Sequence, residues 1–161
     1  MGKGKNMNWM ILALTLSFVL LSAPLSAQTS AEFEKTREAM QKQKDDVIAA
    51  DMKLTEEEGK AFWPLYREYQ EALRKLQDRS FKLLAEYAQE RENETFTDPK
   101  AKALLDEYMA IEREDLRLKR TYLDKFNRIL PAKKVMRYFQ LENKIAAVIN
   151  YQATQMVPLA K

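Results

Sequence analysis

Apolar residues recur along this chain at helical spacing, and no stretch alternates regularly between apolar and polar positions. The clearest series advances in steps of four and three, and it comprises Phe62, Tyr66, Tyr69, Leu73, Leu76, Ser80, Leu83 and Tyr87. Such steps place all members on one stripe of a helix that packs lengthwise on another helix. We therefore predict one long helix over residues 55–93, with a kink or a break at Pro64, whose nitrogen cannot donate a hydrogen bond.

A second stripe with the same spacing follows a short turn over residues 93–96. It comprises Leu104, Tyr108, Ile111, Asp115, Leu118, Tyr122, Lys125 and Ile129, and it is flanked by Leu105, Leu116, Leu123 and Phe126. Thr97 or Asp98 is placed to cap this helix, with Pro99 in its first turn, where a missing N–H costs nothing. Two matched stripes joined by a tight turn predict an antiparallel helical hairpin.

A further helix is predicted on each side of the hairpin. Residues 30–50 form the first, with a narrow stripe of Phe33, Met40, Val47 and Ile48. Pro131 ends the third helix and starts the last, which carries Val135, Tyr138, Phe139, Leu141, Ile145, Val148 and Ile149. The predicted fold is all-α: a long antiparallel helical hairpin with additional N- and C-terminal helices, four helices in all and no sheet.

The first 27 residues have the features of a secretory signal peptide. Lys3 and Lys5 precede an apolar run of 13 residues from Trp9 to Leu21, and small residues then lead to Ala27. The run is shorter than the ~20 residues that a membrane-spanning helix needs. We predict export, cleavage near Ala27 and a single helical domain over residues 28–161 with no stable membrane span. An uncleaved anchor is the alternative.

The composition argues against catalysis. The chain has no Cys and no His, and its predicted mature part has only Ser30 and Ser80 as serines. Nucleophilic catalysis and transition-metal binding therefore lack their usual side chains. Scattered methionines remain as ligands for copper(I), and acidic residues within 86–94 remain as weak calcium ligands, but core packing and solvation are the ordinary roles of both. We predict no enzyme activity, no cofactor and no metal site.

Charge is unevenly distributed along the chain. Residues 86–112 hold eight acidic and three basic residues, a net charge of −5, whereas residues 113–144 hold ten basic and four acidic residues, a net charge of +6. The basic positions that share helix faces are Arg113, Arg117 and Arg120 on the third helix and Lys133, Lys134 and Arg137 on the fourth. The pattern fits complementary faces within one fold or across a dimer. It also fits a basic surface for a negatively charged protein partner, since export argues against nucleic acid.

The chain is rich in aromatic residues for a thin hairpin, with seven Phe, seven Tyr and two Trp. A bundle of few helices leaves part of that apolar surface uncovered, and uncovered surface marks a binding face. A second copy of the chain is the first candidate to cover it, which predicts a homodimer. A client protein is the next candidate.

Two segments 76 residues apart echo each other. The matching positions are Leu54 and Leu130, Thr55 and Pro131, Glu58 and Lys134, Phe62 and Tyr138, and Trp63 and Phe139. In the first segment, Thr55 and Glu58 fit a capping box, in which each side chain binds a free N–H of the first helical turn. We predict that the two segments meet and stabilise the fold rather than perform chemistry.

These two helix starts resemble the LTxxQ motifs of the Spy/CpxP family of exported helical proteins. The similarity spans roughly residues 30–155, and LPAKKVMRYFQLENKI is especially similar to the second motif region. The Gln of the motif is Glu58 in the first copy and Lys134 in the second, and Pro131 replaces Thr. The resemblance implies a four-helix, hairpin-like protomer that pairs into a curved dimer in the periplasm.

The resemblance also implies a function: ATP-independent chaperone or stress-adaptor work on protein clients or on an envelope regulatory protein. The alternative is a regulatory partner without chaperone activity in an envelope signalling system, of the sensor-kinase or sigma/anti-sigma type. The metal-sensing branch of the family is the least similar, because this chain has no His.

Overall fold

The computed structural model describes residues 30–156 and 159–160, and these residues form four α-helices and no strand. The helices are α1 (Ser30–Met52), α2 (Glu56–Glu92), α3 (Asp98–Asn127) and α4 (Ala132–Met156). The all-α prediction is confirmed. The predicted signal peptide, Pro158 and the side chain of Phe33 lie outside the described residues. Within the described part, no helix combines the length and the apolar character needed to cross a membrane.

The helix ends follow from local sequence. The capping box of α2 is present: the Thr55 hydroxyl accepts from the Glu58 N–H at 3.3 Å, and the Glu58 carboxylate accepts from the Thr55 N–H at 2.8 Å. Thr97 precedes α3 in an extended conformation and Pro99 lies in the first turn, but the Thr97 side chain makes no capping hydrogen bond. α1 continues to Met52 and stops where Lys53 takes a left-handed φ of 45°.

Helix α2 runs through Pro64 without interruption, so of the predicted kink or break the break is wrong. Proline removes only one donor, the one that would reach the carbonyl of Lys60. Pro64 is exposed, which leaves that carbonyl open to water, whereas Phe62 and Tyr66 on either side are buried. Packing of these two rings holds both sides of the proline in one helix and offsets the lost hydrogen bond.

Contacts divide the chain into two compact units. One unit is Leu54–Gln140, and it contains the predicted antiparallel hairpin of α2 and α3. Its register is set by pairs such as Tyr69 with Tyr122, whose ring centroids are 4.8 Å apart, and Lys100 with Glu86, whose charged atoms are 2.6 Å apart. The other unit combines the chain before residue 54 with the chain after residue 140.

A mostly buried ion pair lies within this second unit. The ammonium of Lys44 on α1 is 2.7 Å from the carboxylate of Glu142 on α4, and about a tenth of each side chain is exposed (14% and 9%). Burying two charges is costly unless each has a close partner of opposite sign. Lys44 and Glu142 therefore fix which faces of α1 and α4 meet.

Candidate functional site

The aromatic residues of the two echoed helix starts lie in one cluster. The ring centroid of Phe62 lies 5.2 Å from that of Tyr138 and 5.5 Å from that of Phe126. The ring of Trp63 packs edge-on against Phe62, with 5.1 Å between the two centroids. Phe62, Phe126 and Tyr138 are fully buried. The hydroxyl of Tyr138 accepts a hydrogen bond from the Gln70 amide at 3.3 Å. These rings form the core of the Leu54–Gln140 unit, and their contacts are those of packing.

The remaining residues of the second echoed segment also serve the fold. Leu130 is buried, while its counterpart Leu54 is half-buried. Pro131 lies just before α4, and its carbonyl accepts from the N–H groups of Lys134 at 2.8 Å and Val135 at 3.1 Å. Pro131 therefore occupies the starting position of α4 without the side-chain cap that Thr55 supplies to α2.

A charge pair joins Glu58 and Lys134, which occupy matching positions in the two echoed segments. The Glu58 carboxylate binds the Lys134 ammonium across 76 residues of sequence. The hydrogen bond from the Lys134 ammonium is the main reason that the pKa of the Glu58 carboxyl is below its ordinary value of 4.5. The hydrogen bond from the Thr55 backbone N–H is the next largest cause. One carboxylate thus caps α2 and ties it to the start of α4. Glu58 and Lys134 have opposite charges and pair with each other, a relation that neither segment shows alone.

Glu58→Gln should make the stability of the protein less dependent on acid pH. The pKa of Glu58 is lowered by folding, so the stability that its charge contributes is fully present above 4.5 and is lost as the pH falls through the lower folded value. Urea unfolding at a series of pH values should show wild type and variant converging on acidification. Glu57→Gln on the same exposed turn is the control. A difference between wild type and Glu58→Gln that stays constant with pH would contradict this assignment.

Ion pairs tie α2 to α3 along the hairpin. The Arg79 guanidinium donates to Glu107 at 2.8 Å and also to Glu114. Near the turn, Lys100 bridges Glu86 at 2.6 Å and Glu90 at 3.2 Å. Part of the acidic charge of residues 86–112 is therefore balanced inside the hairpin, by Arg79 and Lys100, neither of which belongs to the basic stretch 113–144.

Tyr122 forms a third polar link between the two helices. Its hydroxyl donates to Glu68 at 2.8 Å, and Lys125 donates to the same carboxylate at 2.7 Å while lying over the Tyr122 ring. Burial, together with the hydrogen bond to Glu68, raises the pKa of Tyr122 to about 12. The phenol therefore stays protonated and acts as a donor that holds α3 against α2.

Helix α3 has a second apolar stripe, and it faces solvent. The outer stripe consists of Leu105, Met109, Leu116 and Leu123, with 60%, 50%, 66% and 39% of each residue exposed. Its spacings of four, seven and seven keep the period of the buried stripe. The buried stripe in turn differs from the predicted one: Phe126 is fully buried, whereas Lys125 is only half-buried and Tyr108 is exposed.

Three of the predicted basic residues lie beside the outer stripe. Arg113, Arg117 and Arg120 border one shallow surface depression, together with Leu116, Thr121 and Asp124. Arg113 and Arg120 form no ion pair with any residue that the structure describes. Lys133 and Arg137 lie one turn apart at exposed positions of α4, and they do not border this depression. The structure thus brings the three arginines together around Leu116.

Other kinds of site find no support within residues 30–156 and 159–160. Among the side chains that the structure describes, those of residues 35–151 and 159–160, no group of three acidic side chains is arranged to hold a metal ion, and no buried polar atom lacks a partner. No protein-family model, curated protein or solved structure matches the chain. The outer stripe with its three arginines is the candidate functional site.

Proposed function

We propose that this chain is a periplasmic, ATP-independent chaperone-like or stress-adaptor protein that binds unfolded or partner proteins through the outer stripe of α3. The observation that carries the proposal is a row of four large exposed apolar side chains beside three arginines. The resemblance of the helix starts to the Spy/CpxP family supports the class and the compartment. The absence of Cys and His from the chain supports a role in binding rather than catalysis.

The chemistry of the outer stripe suits segments that unfolding proteins expose. Burying one large apolar side chain yields about 1.5–3 kcal/mol, so several such contacts give useful affinity without a deep pocket. The arginine stems add apolar surface, and their guanidinium groups bind carboxylates or stack on aromatic rings. A partner segment with apolar residues flanked by carboxylates therefore matches Leu116 and the arginines around it.

The alternative function is that of a regulatory partner in an envelope signalling system. The regular spacing of the outer stripe favours it, because apolar residues that recur every seven positions lie on one face of a helix and match another helix. A flexible unfolded chain needs no such period. One defined partner helix, or a second copy of this chain in a homodimer, would contact the side chains of the outer stripe along its whole length.

Leu116→Asn should weaken binding about tenfold and leave thermal stability unchanged. Leu116 is central among the arginines, and because 66% of it is exposed the fold gains little from it. The measurement is suppression of aggregation of an unrelated unfolding protein, without ATP, as a function of added chain. Met136→Asn on α4 is the control, since Met136 is exposed to a similar extent (60%) but lies off the outer stripe.

The outcomes separate the candidate functions. Equal suppression by wild type and Leu116→Asn would contradict the outer stripe as the binding site. No suppression by wild type, combined with tight binding to one envelope protein, would favour the regulatory alternative. Light scattering on the same two samples tests the homodimer: a dimer that Leu116→Asn converts to monomer would show that a second copy covers the outer stripe.

A further inference from the structure

One residue of the outer stripe differs from the others in chemistry. Met109 is half exposed and lies between Leu105 and Leu116, so its thioether reaches solvent in the middle of the row. Met40 and Met136 are also exposed, at 47% and 60%, but they lie on α1 and α4. Met52 is 2% exposed. Among these four methionines, only Met109 combines access to solvent with a place in the candidate site.

The composition makes thioethers the groups that oxidants attack first. The chain has no Cys, so no thiol competes for a two-electron oxidant such as hydrogen peroxide. In that reaction a sulfur lone pair attacks one peroxide oxygen, an S–O bond forms as the O–O bond breaks, and one water leaves. The sulfur is oxidised by two electrons and the peroxide is reduced by two. Because solvent access governs the reaction, Met109 should react long before Met52.

Oxidation at this position would change the candidate site in two ways. A sulfoxide is polar and a strong hydrogen-bond acceptor, so a partner that covers Met109 would bury a polar group in an apolar row. Arg113 lies four residues further along α3, within reach of position 109 on the helix surface. The sulfoxide oxygen can accept from the Arg113 guanidinium and so divert that cation from a partner carboxylate.

We propose that Met109 is a reversible oxidation site whose conversion to the sulfoxide lowers partner binding by the outer stripe. The inference rests on the proposed function of that stripe. Methionine sulfoxide reductases reverse the modification, so binding would fall during exposure to peroxide and return after repair.

The test treats the purified chain with hydrogen peroxide, removes the peroxide with catalase and then measures aggregation suppression. Peptide mass spectrometry at timed intervals should show Met109 oxidised well ahead of Met52. Suppression by wild type should weaken about tenfold, the effect of burying one polar group in an apolar contact. Met109→Leu should suppress aggregation to the same extent before and after peroxide, whatever its untreated activity is, whereas Met136→Leu should lose as much as wild type. Treatment with the reductases should restore wild-type activity.

Two results would overturn the inference while leaving the proposed function in place. One is oxidation of Met109 no faster than that of Met52. The other is equal loss of suppression by wild type and Met109→Leu after peroxide. A chain that fails to bind before any treatment would instead overturn the proposed function, and the oxidation switch with it. Unchanged thermal unfolding after oxidation separates loss of binding from loss of fold.

Discussion

Phe126→Ala is expected to lower the free energy of unfolding by ~3–5 kcal/mol, one of the two largest effects expected for this protein. Phe126 is fully buried, and its ring centroid lies 4.8 Å from that of Tyr138 and 5.5 Å from that of Phe62. It therefore joins α2, α3 and the start of α4. Replacing the Phe126 ring by a methyl group leaves a cavity, and α2, α3 and α4 cannot all move inward to fill it.

Chemical unfolding followed by circular dichroism measures this loss. Phe81→Ala is the matched control, because the same side chain is removed from a position that is 51% exposed. The control should lose about 1 kcal/mol or less. A similar loss in both variants would contradict the placement of Phe126 at the centre of the core.

Glu142→Gln is the other substitution with a large expected effect, about 3 kcal/mol or more. The change removes one close carboxylate from Lys44, and this side chain is only 14% exposed. Removing one half of a mostly buried ion pair destabilises a fold more than the intact pair stabilises it, because the remaining charge keeps its desolvation cost and loses a close opposite charge. Asp46→Asn is the control, since the pair of Lys42 with Asp46 on α1 is exposed and should contribute little.

A double variant distinguishes loss of charge balance from loss of packing. Lys44→Met combined with Glu142→Leu replaces the ion pair by two apolar side chains of similar size. It should be more stable than Glu142→Gln alone, because the ammonium is removed together with the carboxylate that offsets its burial. A double variant that is less stable than the single one would show that the charges contribute more than mutual neutralisation.

The fold was predictable where a local signal was strong. The capping box at Thr55 and the proline at position 99 mark helix starts, and the structure has α2 and α3 beginning there. The two apolar stripes predicted the hairpin because a period of four and three has one structural solution, a helix packed lengthwise on another. At Pro64 the local rule predicts a kink or a break, and the break does not occur, since that rule does not include the buried rings of Phe62 and Tyr66.

The candidate site was predictable only in part. The three arginines on one face of α3 follow from spacing, but the exposure of Leu105, Leu116 and Leu123 does not. A helix with apolar residues on two adjacent stripes can bury either one. The choice depends on the start of α4, whose Tyr138 contacts Phe126 and thereby selects the buried face. Contacts between segments distant in sequence leave no periodic signal.

The link between Glu58 and Lys134 bears on the order in which this unit folds. Pairs near the turn, such as Glu86 with Lys100, close small loops. Once they have formed, each later pair of the hairpin costs little additional chain entropy. Joining positions 76 residues apart in an open chain would be slow, but a completed hairpin already brings Phe62 to Phe126. We therefore expect the start of α4 to dock last. In the folded protein the same segment should be the first part of the unit to open, and its opening would expose the rings of Phe62 and Phe126.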